Sequence, residues 1–200
     1  MEATSVIAVL GTLGLALGSS WASGINLYAM VATLGLLGRF AGLELPGDLG
    51  IVTDWWVIGI ASVLYVIEFA ADKVPIVDSI WDVVHTFIRV PAGAVVAAAA
   101  LGDFSPWVQV VAFLLGGGVA LSSHGAKAAT RVVANMSPEP ASNITLSVVE
   151  DVVAVGGTLL AAFLPILMLG FVVIAVTAVI WLAPKVFRRL RGRRPATATP

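Results

Sequence analysis

PILMLGFVVIAVTAVIWLAPKVFRRLRGRR, residues 165–194, decides the fold class. Pro165 to Pro184 contains no charged residue, and the next ten positions hold Lys185, Arg188, Arg189, Arg191, Arg193 and Arg194. A bilayer crossing needs about 20 apolar residues in a helix. A basic cluster directly after such a span marks a cytoplasmic end. Read as a nucleic-acid patch instead, the cluster would not need an apolar span in front of it.

The rest of the chain agrees with a membrane reading. Of its 200 residues 59% are hydrophobic and only 12% are charged, against about 25% charged in soluble domains. Mean hydropathy is +1.01. So much Val, Leu, Ile and Ala excludes disorder, and lipid is the solvent that suits it. Apart from the basic end, residues 1–184 hold five basic and twelve acidic residues. There is no cysteine, which excludes disulfides, thiolate metal ligands and cysteine nucleophiles. The first residues lack the basic start of a signal peptide and read as a retained span.

Six apolar segments follow one another. Segment A covers 5–43, too long for one crossing, with the polar run SSWASGIN (19–26) inside it. It reads as a span plus an interfacial helix, or as two short helices meeting at that run, and Ser19, Ser20, Ser23 and Asn26 are the break candidates. A loop, 44–54, precedes segment B, WWVIGIASVLYVIEFAA (55–71), whose tryptophan pair suits a membrane interface. Segment C runs from about Ser79 to Leu101, and A′ from Trp107 to about Asn135 with its own interruption SSHGAK (122–127), where Ser122 and Ser123 are break candidates. The loop MSPEPASN (136–143) leads to C′ (144–164), and D (166–187) follows at Pro165 with no polar residue in the joint. Six crossings with both ends cytoplasmic place Lys73, Lys127, Arg131 and the basic tail on the inner side. WDVV (81–84) resembles EDVV (150–153), and SSWASG resembles SSHGAK, which suggests two degenerate halves with broken helices, the arrangement of transporter-like centres.

The chemistry concentrates in KVPIVDSIWDVVHTFIRVP (73–91). On a helix Asp78, Asp82, His85 and Arg89 fall within roughly 60° of arc. Each ionisable group in hydrocarbon costs about 2.5–3.5 kcal/mol even on lenient scales, so such groups pair or line a cavity. Glu68 and Asp72 close segment B one turn apart, so B and C read as antiparallel neighbours with four carboxylates near one turn. Lys127 and Arg131 share a face of A′ with Ser123. Asn143, Ser147 and Glu150 share a face of C′, with Asp151 beside them. Asp72, Asp78, Lys73, Lys127 and Arg131 also have a plainer reading as residues flanking the membrane. Asp82, His85, Arg89 and Glu150 lie deeper, where a packing ion-pair network competes with a transport site. Two histidines and no cysteine argue against a zinc or copper centre, and no hydrolase, P-loop or dinucleotide motif is present.

IEFAADKVPIVDSIWDVV (67–84), the Ala-rich span ending in ALGD (100–103), the GGG helix and VVED…GG…LLAAFLPIL together resemble the domain-of-unknown-function family 4126. The most specific piece is an acid, Glu68 or Asp72, ahead of Pro75, Asp78 and Asp82; His85 and Arg89 stand outside it. The resemblance spans about residues 5–185. It implies a small bacterial integral membrane protein and implies no activity.

The sequence therefore predicts an all-α, polytopic transmembrane bundle of about six spans over 1–187, with 188–200 a basic, disordered cytoplasmic tail. The expected location is the inner membrane, with the C-terminus cytoplasmic. The expected function is translocation of a small solute or ion, with proton coupling through Asp82, His85 or Glu150. A non-transporting scaffold or lipid- or partner-binding protein is the alternative, and an intramembrane lipid-acting enzyme comes third without a motif. The sequence calls for no catalytic residue, cofactor, metal or nucleic acid. The lipid bilayer, a small solute or cation and a second copy of the chain are the partners it admits.

Overall fold

The computed structural model describes residues 3–135 and 140–191, with side chains throughout except at 3, 4, 75, 76, 78, 79, 133, 135, 140–143, 186, 187 and 189–191. Its six α-helices are α1 (Ala3–Phe40), α2 (Trp55–Ala71), α3 (Pro75–Ala100), α4 (Pro106–Asn135), α5 (Pro140–Phe163) and α6 (Pro165–Arg191), and a 3₁₀ turn, Gly47–Thr53, precedes α2. Among the described residues five helices are long and apolar enough to cross a membrane, and the bent pair Gly47–Thr53 with Trp55–Ala71, taken as one span, raises the number to six. The polytopic helical bundle is thus the observed architecture. Residues 140–143, read from the sequence as loop, begin α5 instead. Part of 44–54 is likewise helical, because the turn formers Pro46 and Gly47 start a 3₁₀ turn and do not leave open coil.

α1 is the axle. It contacts all five other helices and the 3₁₀ turn, and 44% of its most apolar window is buried against 11% for α6. Lipid is as apolar as leucine, so helices in a membrane associate through small residues that let backbones approach. At Gly14 an added Cβ would run into the Pro165 backbone, and at Gly18 into Ala161 and Met168. These two glycines seat the α5–α6 joint on α1. The joint needs no polar residue because its backbone stays bonded: Leu164 N–H donates to Leu160 O (2.8 Å) and Met168 N–H to Leu164 O (3.0 Å).

The short connections make successive helices run up and down. The turn at 72–74, the C-terminal end of α4, the N-terminal end of α5 and the end of α6 share one side, and the loops at 41–54 and 101–105 share the other. We call these the 72 end and the 102 end. α2 packs mainly on α1 and α3 on α4 and α1, while α2 and α3 touch little. The close antiparallel pair expected of B and C is replaced by two helices that diverge from their turn.

Segment A holds one break. Asn26 has φ −147° and ψ 101° and divides α1 into two half-helices, so the break falls at the last residue of SSWASGIN. Ser19, Ser20 and Ser23 stay helical. SSHGAK does not break α4 either: Ser122 Oγ donates to Val119 O (2.7 Å) and Ser123 Oγ to Ala120 O (3.1 Å), which satisfies the hydroxyls inside an intact helix.

Candidate functional site

Arg89 lies fourteen residues into α3, about 21 Å from its start at 1.5 Å per residue. It is wholly buried, and its guanidinium joins Glu68 Oε1 on α2 (2.6 Å) to Asp82 Oδ1 on its own helix (3.0 Å). The planar fork suits two carboxylates at once, which a lysine ammonium at the same depth could not orient.

Lys127 stands at the centre of the cluster. Its Nζ is 3.4 Å from Glu150 Oε2, 3.6 Å from Asp72 Oδ2, 3.6 Å from Asp82 Oδ1 and 3.8 Å from Glu68 Oε1. Four carboxylates thus surround one tethered ammonium. Arg131, one turn on, reaches Glu150 Oε2 at 2.5 Å through Nη2 and Oε1 at 3.0 Å through Nε. It also donates to Asp72, to Oδ2 at 3.3 Å and to the backbone oxygen at 3.2 Å. Asp72, Lys127 and Arg131 are therefore buried core residues and not interfacial flanks, because α2, α4 and α5 bring opposite charges against one another. Lys73 remains outside the cluster, with Nζ donating to Phe69 O (2.7 Å).

Two histidines border the ions. His85 Nδ1 is 2.8 Å from Trp81 O and Nε2 is 3.0 Å from Tyr28 Oη. A carbonyl only accepts, so Nδ1 carries the proton, and in the neutral ring Nε2 accepts from the tyrosine hydroxyl. His124 Nδ1 lies 3.3 Å from Arg89 Nη1, and Nε2 lies 2.7 Å from Thr86 Oγ1. Arginine only donates, so Nδ1 accepts and Nε2 donates to Thr86, whose hydroxyl donates in turn to Asp82 O at 3.0 Å. The sequence places the Thr86 hydroxyl beside the charged face of α3, but it does not single out His124 or Tyr28. The 0, 3, 7 spacing of His124, Lys127 and Arg131 was the available signal for the histidine.

The break in α1 is wired to the same cluster. Asn26 Oδ1 accepts from Ala29 N–H (2.9 Å), the N-cap arrangement for the second half-helix. That N–H would otherwise bond Ile25 O. Lys127 Nζ donates to Ile25 O instead, at 3.3 Å, and so closes the C-terminal end of the first half. Asn26 Nδ2 donates to Asp151 Oδ1 at 3.0 Å, which places a carboxylate at the positive N-terminal end of the second half.

Just beyond Arg89 toward the 102 end the bundle closes. Ser20 Oγ bridges Ala16 O (2.9 Å) and Gly93 O (2.8 Å). A Cβ at Gly24 would meet Ser123 and the Ala120 carbonyl, and one at Gly116 would meet Ala97 and, at 2.7 Å, Gly93 O. The two runs SSWASG and SSHGAK therefore meet face to face, and α1, α3 and α4 seal the polar interior by backbone contact. Of the other small residues, Gly118 and Gly156 have open space beside them.

The cluster of Glu68, Asp72, Asp82 and Glu150 with Arg89, Lys127 and Arg131 has one carboxylate more than it has cations. Asp151, apart from them, adds a second. Glu68 Oε2, Asp72 Oδ1, Asp151 Oδ2, Ser19 Oγ and Ser147 Oγ are buried with no hydrogen-bond partner among the described residues. Buried polar atoms without partners are costly in a low-dielectric interior, and the donors Trp81 Nε1 and Arg89 Nε are unpartnered among those residues as well. Among the described residues no three His, Asp or Glu side chains are arranged to hold a metal ion. The side chains of Asp78 and Asn143 lie outside the described residues.

The family model for Domain of unknown function (DUF4126) matches residues 13–185, a range that contains every residue of this site. No curated protein and no solved structure matches the chain. The chain belongs to the DUF4126 family.

Proposed function

We propose that the protein translocates a cation or small solute across the bacterial inner membrane, with the buried ionic cluster as its route and its C-terminus in the cytoplasm. The observation that carries this reading is a tethered ammonium, Lys127, ringed by four carboxylates and bonded at the same time to the open end of a broken helix. A permeating cation entering from the 72 end competes with Lys127 for those carboxylates. Once displaced, Lys127 releases Ile25 O, and the two halves of α1 are free to re-pack about Asn26. Gly24 lies two residues from that break and forms the seal with Ser123 and Ala120, so motion at the break is delivered to the barrier. Discontinuous helices whose ends meet the transported ion are a recurring transporter device. In this reading the protein carries out no covalent chemistry.

Flux into proteoliposomes tests it. Wild-type protein is expected to pass a monovalent cation. Asp82→Asn and Glu150→Gln, which each remove one of the four carboxylates, are expected to lower the rate at least about tenfold, a change of about 1.4 kcal/mol in the barrier. The scaffold reading is favoured by one feature, the Arg131–Glu150 pair made through both guanidinium and both carboxylate positions. It predicts folded wild-type protein with no flux for any solute, and that result would sink translocation.

A further inference from the structure

Asp151 follows Glu150 in sequence but belongs to a different environment. Glu150 faces Lys127 and Arg131. Asp151 is 6% exposed, has no ion-pair partner among the described residues, and keeps only the Asn26 bond on Oδ1 while Oδ2 has none. It lines a crevice of about 420 Å³ between α2 and α5, whose other walls include Tyr65, Phe69, Val148, Val152 and Leu159. Val152 is 65% and Val148 44% exposed, so the crevice opens sideways to the hydrocarbon of the bilayer.

The lining defines the occupant. Apart from Asp151 and the Tyr65 hydroxyl the walls are apolar, which suits a hydrophobic body and gives an inorganic ion too few oxygens to replace its hydration shell. Tyr65 and Phe69 stand one turn apart, ring centroids 6.2 Å from each other, and aromatic faces attract cations. Lys73 already places its ammonium over the Phe69 ring at the end of α2. The one charge among the lining residues is a carboxylate with no ion-pair partner among the described residues, and a neutral lipid chain would leave it unpaired in a low-dielectric site.

We propose that the α2–α5 crevice binds a lipophilic organic cation, a hydrophobic amine or an onium ion, which enters from the bilayer with Asp151 as its counter-charge and Tyr65 and Phe69 against its body. The bound cation sits one hydrogen bond from the α1 break, through Asp151 Oδ1 and Asn26 Nδ2. Binding does not depend on the translocation reading. It adds to that reading a class of molecule and a place of entry.

The test is equilibrium dialysis of the full-length protein in nanodiscs with tetraphenylphosphonium, and with tetraphenylborate as the anion of the same shape. The phosphonium is expected to bind saturably, one per chain, and the borate not to. Asp151→Asn is expected to weaken phosphonium binding at least about tenfold, and Tyr65→Leu about 3- to 10-fold. Val152→Trp fills an exposed wall without touching a polar contact, so it decides the matter if Asp151→Asn does not fold. It is expected to abolish binding. The proposal is overturned by absence of saturable binding to wild type, by equal binding of the borate, or by binding unchanged in both Asp151→Asn and Val152→Trp. Phosphonium binding in protein without ion flux would keep the crevice and remove translocation, and flux without binding would do the reverse.

Discussion

On either side of Gly93 the bundle is held together by different forces. Toward the 102 end, Leu34, Leu49, Val52, Ala97, Ala100 and Leu101 form part of an apolar core. Toward the 72 end, a layer of buried charge links α2, α3, α4 and α5. In water the apolar half would provide most of the stability. In a bilayer it gains only from fit, since the hydrocarbon outside is no worse a solvent for leucine than the protein interior. The ionic half is the reverse: each pair is strong because no water competes, and each loss strands a charge that lipid cannot solvate. The half that can least tolerate change is thus also the half with unsatisfied carboxylates and a broken helix.

Three substitutions break or sharpen that contrast. Arg89→Ala leaves Glu68 and Asp82 without their guanidinium and is expected to cost about 3–5 kcal/mol, read as a loss of folded protein in detergent unfolding curves. A cost below about 1 kcal/mol would mean water enters the cluster and the contrast between halves is false. Leu34→Ala, fully buried in the apolar half, is expected to cost about 2–3 kcal/mol by the cavity it leaves. If it proved worse than Arg89→Ala, packing and not charge would dominate the whole molecule. Asn26→Ala removes the cap on Ala29 and the bond to Asp151, for about 1–2 kcal/mol. Because it acts at the hinge, its effect on flux should exceed its effect on the unfolding midpoint; equal, small effects on both would deny the break a moving role.

Much of the ionic half was legible along the chain. The spacing of Asp82, His85 and Arg89 put them on one face, and Glu68 with Asp72 and Glu150 with Asp151 stood out because acids are rare in apolar segments. Lys127 and Arg131 were harder to place, since a cation near the end of a span usually reaches for the headgroups. Nothing local distinguishes that case from a lysine drawn inward by carboxylates on three other segments. The serine runs misled for a related reason: a hydroxyl near a helix carbonyl can bond back to it and leave the helix intact, as in α4, so only Asn26 turned a polar run into a break. His124 carries only its helical spacing from Lys127 and Arg131, and Tyr28 carries no signal until His85 arrives from another helix.

Hydropathy and helical period are local properties, and the bilayer enforces them on each segment separately. They were therefore enough to determine an all-helical membrane bundle of about six spans and a polar stripe that must avoid lipid. Pairing is a property of register between helices distant in sequence, such as Asn26 with Asp151, 125 residues apart. Only the tertiary structure could decide that Lys127 is ringed by four carboxylates, that one of two similar serine runs contains the helix break, and that Asp151 is the acid left facing an apolar crevice. In a low-dielectric interior the energy of each charge is set by what lies within a few ångströms of it, and that is fixed by packing alone.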